Sequence, residues 1–212
     1  ECRYWFKELE NQNPEAVEIW KWFKEVSLKE FNRVYKMLDI EFDSYNGESF
    51  YSDKMPALIE DLRNRNILEE SQGAEVINLD EYDLPPAIVV KSDGTTIYLT
   101  RDLAAAKYRH ENYKPFRSIY VVGSQQSLHF KQLKAALKKA GFDWYDEIIH
   151  VAFGMVSLED GTLSTRKGKV VYLEDVLNRA IEKVREILDQ REEKTSRKIE
   201  NKEELAEIVG IG

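Results

Sequence analysis

The chain has 212 residues, of which 42% are hydrophobic, and a formal net charge of −8 at pH 7. That composition is ordinary for a soluble globular protein with a sizeable core, and no run approaches the roughly 18 to 20 apolar residues that a membrane helix needs. The negative charge excludes a wholly basic nucleic-acid-binding domain, although it allows a local cationic groove.

Cysteine and histidine usage narrows the class of protein further. Cys2 is the single cysteine, which excludes an intramolecular disulfide and a cysteine metal cluster and suits a reducing compartment. No signal peptide is visible, so we expect a cytoplasmic protein. The three histidines have no metal-ligand spacing, and we expect no metal site.

A helical segment is predicted first, over residues 1–40. Asn13 precedes Pro14 in an order typical of a helix N-terminus, and apolar residues recur at roughly helical spacing beyond this pair. We expect one long helix or a broken pair. The tryptophans of this segment could form an exposed binding stripe, but core or interdomain packing is the favoured interpretation. They are Trp5, Trp20 and Trp22.

Alternating strands and helices are predicted next. We expect Asp53 to cap a helix that continues to Leu68. Residues 87–90 and 97–99 predict two strands, joined by a hairpin turn at residues 91–94. The change from helical to alternating elements favours an α/β domain.

The segment at residues 95–108 changes from a β-like pattern to an alanine-rich helix. Thr100 is well placed as the N-cap of that helix, so we expect Tyr98 and Asp102 on opposite sides of one strand-to-helix turn. On composition alone, the aspartate complements the positive end of the helix dipole and the tyrosine packs against the fold.

Residues 117–122 form an apolar run typical of a central parallel strand. A polar turn from Gly123 to His129 leads from it into a helix with an apolar face. Glycine at the strand end allows a ligand to approach the backbone closely. In open α/β sheets, such a unit of strand, turn and helix binds its ligand at the turn.

A glycine-bounded loop at residues 154–169 follows another predicted buried strand. The hydroxyls of Ser164 and Thr165 can donate hydrogen bonds there, and the cations Arg166 and Lys167 can bind a polyphosphate. A solvated basic hairpin is the alternative, since short basic runs and glycines are common at turns.

This loop resembles the signature loop of class I aminoacyl-tRNA synthetases, whose usual form is Lys-Met-Ser-Lys-Ser. The five matching positions, residues 162–166, read Thr-Leu-Ser-Thr-Arg, and the surrounding Gly-Met-Val and Ser-Thr-Arg-Lys-Gly resemble the arginyl-tRNA synthetase version. Residues 42–49, Phe-Asp-Ser-Tyr-Asn-Gly-Glu-Ser, resemble the same family. The matches together extend over roughly residues 40–180.

The resemblance implies an α/β fold with a partial, Rossmann-like parallel sheet, the second half of a class I synthetase catalytic domain. We therefore expect a helical segment at 1–40, the catalytic part at 41–172 and a second helical segment at 173–212. The family's His-x-Gly-His signature and its helical anticodon-binding domain are not found in the sequence. We accordingly expect a fragment that is inactive alone.

For the whole enzyme, the resemblance implies ligation of L-arginine to tRNA(Arg) through an arginyl-adenylate. ATP with Mg²⁺ is the substrate complex, and AMP and pyrophosphate are released. The resemblance implies no tightly bound cofactor, no membrane partner and a monomeric full-length protein. Two alternatives stay open: another nucleotidyl-transferring enzyme of the same fold, and a non-catalytic synthetase-like module that binds tRNA.

Site residues are assigned by matching family motifs to this sequence. The arginine-binding residues are Tyr98, Asp102 and Gln126. The ATP-binding residues are Gly123, Gln125, His129, Met155 and Val156. The catalytic loop residues are Ser164, Thr165, Arg166 and Lys167. Threonine stands at the fourth signature position, so the cation that binds the ATP phosphates must come from the arginine, the lysine or a group outside the loop.

Overall fold

The computed structural model describes residues 2–10, 12–154, 157–158, 161–162 and 171–212. The backbone contacts divide the chain into two compact units. The first, which we call the helical unit, combines Glu1–Ser44 with Leu163–Gly212, and the second, the α/β unit, spans Tyr45–Thr162.

Four helices make up the described part of the helical unit. They are α1 (Cys2–Glu10), α2 (Pro14–Met37), α6 (Leu173–Thr195) and α7 (Lys202–Ile211). The predicted start of α2 is confirmed, because the Asn13 side chain accepts hydrogen bonds from the backbone of Glu15 at 3.0 Å and of Ala16 at 3.4 Å. The helix is continuous rather than a broken pair.

An arginine and a carboxylate link α2 to α6 within this unit. Arg33 binds Glu174 with two parallel bonds of 2.5 and 2.6 Å. The apolar stripe predicted as core on α6 is only partly buried, since Leu177 and Leu188 are buried whereas Val176 and Ile187 are about half exposed. The stripe therefore exceeds what the described unit covers.

Two of the three tryptophans at the start of the chain are exposed, whereas Trp20 is partly buried. Trp5 is 41% exposed and Trp22 is 60% exposed, so the prediction of core packing is wrong for these two residues. The Trp22 ring instead lies 5.1 Å from the ring of Phe23, its neighbour in the sequence. Packing against another domain stays a prediction.

The α/β unit begins with a 3₁₀ helix at Glu48–Lys54 and α3 (Met55–Asn64). Its antiparallel sheet has the order β1 (Leu68–Ser71), β2 (Ala74–Ile77), β3 (Ala87–Val90). A parallel pair then follows, β4 (Ser118–Gly123) with β5 (Ile148–Phe153), with α4 (Tyr98–Tyr113) before β4 and α5 (Ser127–Lys139) between its strands. Two-residue strands β6 (Ser157–Leu158) and β7 (Gly161–Thr162) pair after β5.

Asp53 does not cap α3, contrary to the prediction. Its carboxylate binds Lys54 Nζ at 2.8 Å, and the preceding 3₁₀ turn leads directly into the helix. The helix also ends earlier than expected, because Asn66 takes a left-handed conformation with φ of 54° and Leu68 opens strand β1. An asparagine tolerates that conformation better than most residues, and this local signal outweighs the apolar periodicity.

The alanine-rich helix α4 begins at Tyr98, two residues before the predicted cap. Thr100 is fully buried, and its hydroxyl donates to the carbonyl of Val89 at 2.5 Å instead of capping the helix. The prediction of a strand at 97–99 is wrong, because Tyr98 and Leu99 belong to α4 and the only pairing near them is an isolated bridge between Val90 and Thr96 among the described residues. The predicted turn is confirmed, with Gly94 at φ of +80°.

One hydrophobic core lies between α3, α4, α5 and the sheets of this unit. Its fully buried side chains include Leu58, Leu62, Ile77, Leu79, Val89, Leu103, Leu133 and Leu137. The parallel pairing predicted for residues 117–122 is confirmed, and within the described residues β4 pairs with β5 alone. A central place for β4 in a wider sheet stays a prediction. Among the described residues, no helix has the length and apolar character to cross a membrane.

Candidate substrate site at the end of strand β4

The polar residues predicted from the motifs meet at one edge of the α/β unit. Helix α4 precedes β4 and is joined to it by four residues, so its first turn lies near the carboxyl end of the strand. The turn Ser124–Gln126 and the start of α5 follow that strand end directly. Ligands of open α/β folds bind at this edge, outside the carboxyl ends of the strands.

A contact between two helices defines the centre of the site. Asp102 Oδ2 on α4 lies 2.6 Å from His129 Nε2 on α5. Both side chains are partly buried, and 36% of the Asp102 side chain is exposed. The carboxylate is thus held by protein on one side and open to a ligand on the other.

Tyr98 lies one helical turn before Asp102, on the same face of α4. The prediction that the two residues lie on opposite sides of a strand-to-helix turn is wrong. Because α4 begins at Tyr98, they lie at positions i and i+4 of one helix. The tyrosine is 70% exposed, and the Arg101 guanidinium carbon lies 5.8 Å from its ring. Its ring is therefore available at the rim beside the carboxylate.

Gly123 ends β4 at a position where a side chain would collide with its neighbour. A Cβ atom built there would lie 2.5 Å from Gln125 Oε1. The backbone of Gly123 is extended, with φ of −56° and ψ of 145°, so the reason for glycine here is space rather than an unusual conformation. Gln125 and Gln126 follow in the exposed 3₁₀ turn.

Aromatic and cationic groups that the sequence did not single out lie behind this edge. The Arg109 guanidinium carbon lies 5.3 Å from the Tyr51 ring centre and 5.2 Å from that of Tyr120. Arg109 is seven residues after Asp102, so both project from the same face of α4. That two-turn spacing is the signal that could have identified it.

The hydroxyl of Tyr120 is enclosed near the predicted carboxylate. It is buried and has no hydrogen-bond partner of suitable geometry among the described residues. Burial raises the pKa of Tyr120, the nearby Arg109 cation opposes that rise, and the Asp102 carboxylate adds to it. The phenol therefore stays neutral and remains a hydrogen-bond donor next to the site at neutral pH.

The motif at residues 42–49 contributes contacts that anchor α4. Glu48 accepts a 2.7 Å bond from Arg101, in the first turn of the helix. Asn46 donates to the Tyr113 hydroxyl at 3.1 Å, at the last residue of the helix. The two contacts hold both ends of the helix that carries Tyr98 and Asp102.

Six of the predicted site residues lie outside the described residues. They are Met155, Val156, Ser164, Thr165, Arg166 and Lys167. The chain reaches Met155 from Phe153, the last residue of β5, which pairs in register with Gly123. The strand that leads to them therefore ends at the same edge as the site.

The chemistry of the described site suits a cationic, planar ligand group. A carboxylate can accept two parallel hydrogen bonds from a guanidinium, and the neighbouring side chains are neutral amides, a phenol and an imidazole. Across the described part of the chain, no group of three or more His, Cys, Asp or Glu residues could hold a metal ion. The site is thus a candidate for binding a positively charged substrate.

Comparison with known proteins identifies related chains over the whole length of this one. Residues 1–212 match the family described as tRNA synthetases class I (R), catalytic domain. The arginine–tRNA ligase of Halothermothrix orenii is 57% identical over 211 residues, and that of Clostridioides difficile is 56% identical over 212 residues. Each alignment covers 100% of this chain and 37% of the relative, so the chain spans about 37% of the length of these proteins.

Solved structures show the same architecture. The crystal structure of the arginyl-tRNA synthetase from Plasmodium falciparum has a TM-score of 0.79 and 26% identity, covering 96% of this chain and 34% of that protein. Thermus thermophilus arginyl-tRNA synthetase has a TM-score of 0.70 and 21% identity, covering 97% and 42% of the two chains. The latter likeness concerns the fold alone.

Proposed function

Because the chain belongs to the class I arginyl-tRNA synthetase family, we propose that it forms part of an enzyme that ligates L-arginine to tRNA(Arg). The reaction proceeds through an arginyl-adenylate, with ATP and Mg²⁺ as the substrate complex and AMP and pyrophosphate as products. The likeness of the whole chain to arginine–tRNA ligases supports this activity.

The single observation that carries the proposal is the position of Asp102. Its carboxylate lies at the ligand edge of the parallel strands, fixed by His129 and flanked by Tyr98 one turn earlier. A fixed carboxylate can bind the substrate guanidinium with two parallel bonds, whereas an ammonium would use only part of that geometry. Tyr98 and Gln126 complete the arginine-binding residues of the proposal.

ATP binds beside the arginine in the proposed mechanism. Gly123 and Gln125 lie toward the ribose, and Met155 and Val156 offer backbone groups to the adenine. The family resemblance assigns His129 to the adenosine, although its Nε2 lies 2.6 Å from Asp102 Oδ2. The arginine carboxylate attacks the α-phosphate and expels pyrophosphate, after which a hydroxyl of the terminal tRNA adenosine takes the arginyl group. Catalysis then depends on positioning and on stabilising charge rather than on a covalent enzyme intermediate.

The signature loop supplies the charge in this mechanism. Arg166 and Lys167 contact the ATP phosphates in the transition state, and Ser164 and Thr165 shape the loop around them. Two adjacent cations suit a group that gains negative charge during displacement. Their resemblance to the family's signature loop supports this role.

Substitution of the carboxylate tests the proposal directly. In a protein of the relatives' length that carries this chain, ATP–pyrophosphate exchange is measured with each of the twenty amino acids, with and without tRNA. We expect exchange with arginine alone, dependent on tRNA, and a loss of about 100-fold or more in kcat/KM for arginine in Asp102→Asn, since an amide cannot pair with a guanidinium as an anion does.

Asp61→Asn is the matched control for that substitution. Asp61 on α3 pairs at 2.8 Å with Arg65, the residue that follows the helix, and it takes no part in the proposed site, so its loss should leave exchange unchanged. Exchange with a different amino acid, or undiminished arginine exchange in Asp102→Asn, would show that the pocket has another ligand.

A further inference from the structure

Among the described residues of the α/β unit, two histidine–carboxylate pairs are present, and they differ in their surroundings. His110 lies 3.2 Å from Glu147 and stacks on the ring of Trp144 at 4.5 Å. His129 lies 2.6 Å from Asp102 at the proposed substrate site. The first pair is explained by packing, whereas the second has the carboxylate of the site as its partner.

The His129 imidazole is itself held in place by neighbouring structure. His129 is the third residue of α5, which begins directly after the turn that follows β4. The ring of Phe130 meets it edge to face with centres 5.4 Å apart, and Phe130 is buried in the core. The imidazole is therefore held in one orientation on α5, from which it can hold the Asp102 side chain on α4 in place.

A carboxylate on a helix turns freely about its last bond unless something holds it. A carboxylate has about four lone-pair sites, so one bond to Oδ2 leaves both oxygens able to accept from a ligand. A donor held at 2.6 Å selects one rotation of the carboxylate plane, and two-bond recognition of a guanidinium depends on that plane.

We propose that His129 is a positioning residue for arginine, which donates its Nε2 hydrogen to Asp102 and fixes the plane of the carboxylate. This inference rests on the proposed function, since it needs Asp102 to bind the substrate guanidinium. It also changes the expected effect of losing the imidazole. A group that contacts adenosine would alter ATP binding, whereas a group that orients Asp102 alters arginine binding.

Separate Michaelis constants for the two substrates test this role. ATP–pyrophosphate exchange is measured with tRNA present, in a protein of the relatives' length that carries this chain. His129→Ala should raise the KM for arginine about tenfold or more, as expected for a lost hydrogen bond to a charged group. The KM for ATP should stay within about twofold, and kcat should fall less than KM rises.

Two amide variants separate positioning from packing. The amide nitrogen of glutamine reaches about as far as Nε2 of histidine, so His129→Gln should restore most of the arginine affinity. His129→Asn carries the same amide but is too short to reach Asp102, and it should behave like His129→Ala. His110→Gln is the matched control in the other histidine pair and should leave both constants unchanged. Thermal unfolding of each variant confirms that it is folded.

The outcomes separate this inference from the proposed function. A raised KM for ATP with a normal KM for arginine would overturn the positioning role and support adenosine contact. Equal damage by the glutamine and asparagine variants would also overturn it, because packing alone then explains the loss. If Asp102→Asn keeps its arginine affinity, the arginine site itself is wrong. If Asp102→Asn loses it and His129→Ala does not, only the positioning role fails.

Discussion

A single buried hydroxyl joins the first turn of α4 to the strand before it. Thr100 is fully enclosed, and its hydroxyl donates to the Val89 carbonyl on β3 at 2.5 Å. It lies between Tyr98 and Asp102 in the sequence, so this bond holds the part of α4 that carries two of the three predicted arginine-binding residues.

Replacing this threonine by valine keeps its shape and removes the bond. We expect Thr100→Val to lower the free energy of unfolding by about 1 to 3 kcal/mol, because the Val89 carbonyl is left without its side-chain donor in a buried place. Urea unfolding followed by circular dichroism measures the change. Thr95→Val is the control, since the hydroxyl of Thr95 bonds Asp93 in an exposed turn and water can replace it. Equal stability of wild type and Thr100→Val would contradict the assignment.

Glycine has two different structural roles at residues 123 and 210, and neither concerns an unusual backbone angle. At Gly123 the space is needed by the side chain of Gln125. At Gly210 the space is needed by backbone, since an added Cβ would lie 2.8 Å from Ile181 Cα. A flexible side chain can move aside, whereas a helix backbone cannot, so the second site is the more restrictive of the two.

At the scale of the elements, helices α6 and α7 approach closely at Gly210. We expect Gly210→Ala to destabilise the helical unit by about 1 to 3 kcal/mol, because the methyl group forces the helices apart. This direction is opposite to helix propensity, by which alanine is favoured over glycine by about 1 kcal/mol. Val209→Ala, at the exposed neighbouring position, should change stability by less than about 0.5 kcal/mol. A more stable Gly210→Ala protein would disprove the close contact.

An ion pair links α3 to strand β2 in the α/β unit. Arg63 binds Glu75 with bonds of 2.6 and 2.9 Å, and the guanidinium lowers the pKa of Glu75 below its ordinary value of 4.5. A carboxylate whose pKa is lower in the folded state than in the unfolded state stabilises the folded state at pH values above its pKa in the unfolded state. The stabilisation is lost as the pH falls through the folded value.

The pH dependence of this pair gives a prediction with a definite sign. Glu75→Gln should be less stable than wild type at pH 7, and the difference should shrink as the pH falls below about 4.5. The effect is small because the pair is partly exposed to water. Chemical denaturation at several pH values measures it, with Glu69→Gln on the neighbouring strand as the control. A difference that grows toward acid pH would exclude the proposed contact.

At the scale of the whole molecule, the chain spans 37% of the length of the arginine–tRNA ligases it matches. The family's His-x-Gly-His signature is not found in its sequence. We propose that in the whole enzyme the segment with this signature contributes to both the ATP and the arginine sites.

We therefore expect the purified chain alone to form no arginyl-tRNA. Aminoacylation with labelled arginine measures this, and the relatives'-length protein that carries the same residues is the positive control. Arginyl-tRNA formation by the isolated chain would show that the described residues and the signature loop suffice for catalysis.

Local patterns predicted much of the fold correctly because their causes lie within a few residues. The Asn13 cap, the turn at Gly94, strand β3 and the parallel pairing after residue 117 follow from capping, turn conformation and apolar runs. Family resemblance was predicted from the glycine loop and confirmed over residues 1–212. Short motifs suffice to recognise the family because they consist of residues that lie next to one another in the sequence.

Contacts between distant residues decided the rest. Thr100 is buried with its hydroxyl bonded to β3 instead of capping α4, and Trp22 is exposed on its helix. The pairing of Asp102 with His129, which are 27 residues apart, exists only because α4 and α5 meet at the end of β4. Sequence alone determined the family and the types of residues at the site, since these depend on local pattern. Tertiary structure decided which of those side chains touch, because that depends on how separate elements pack.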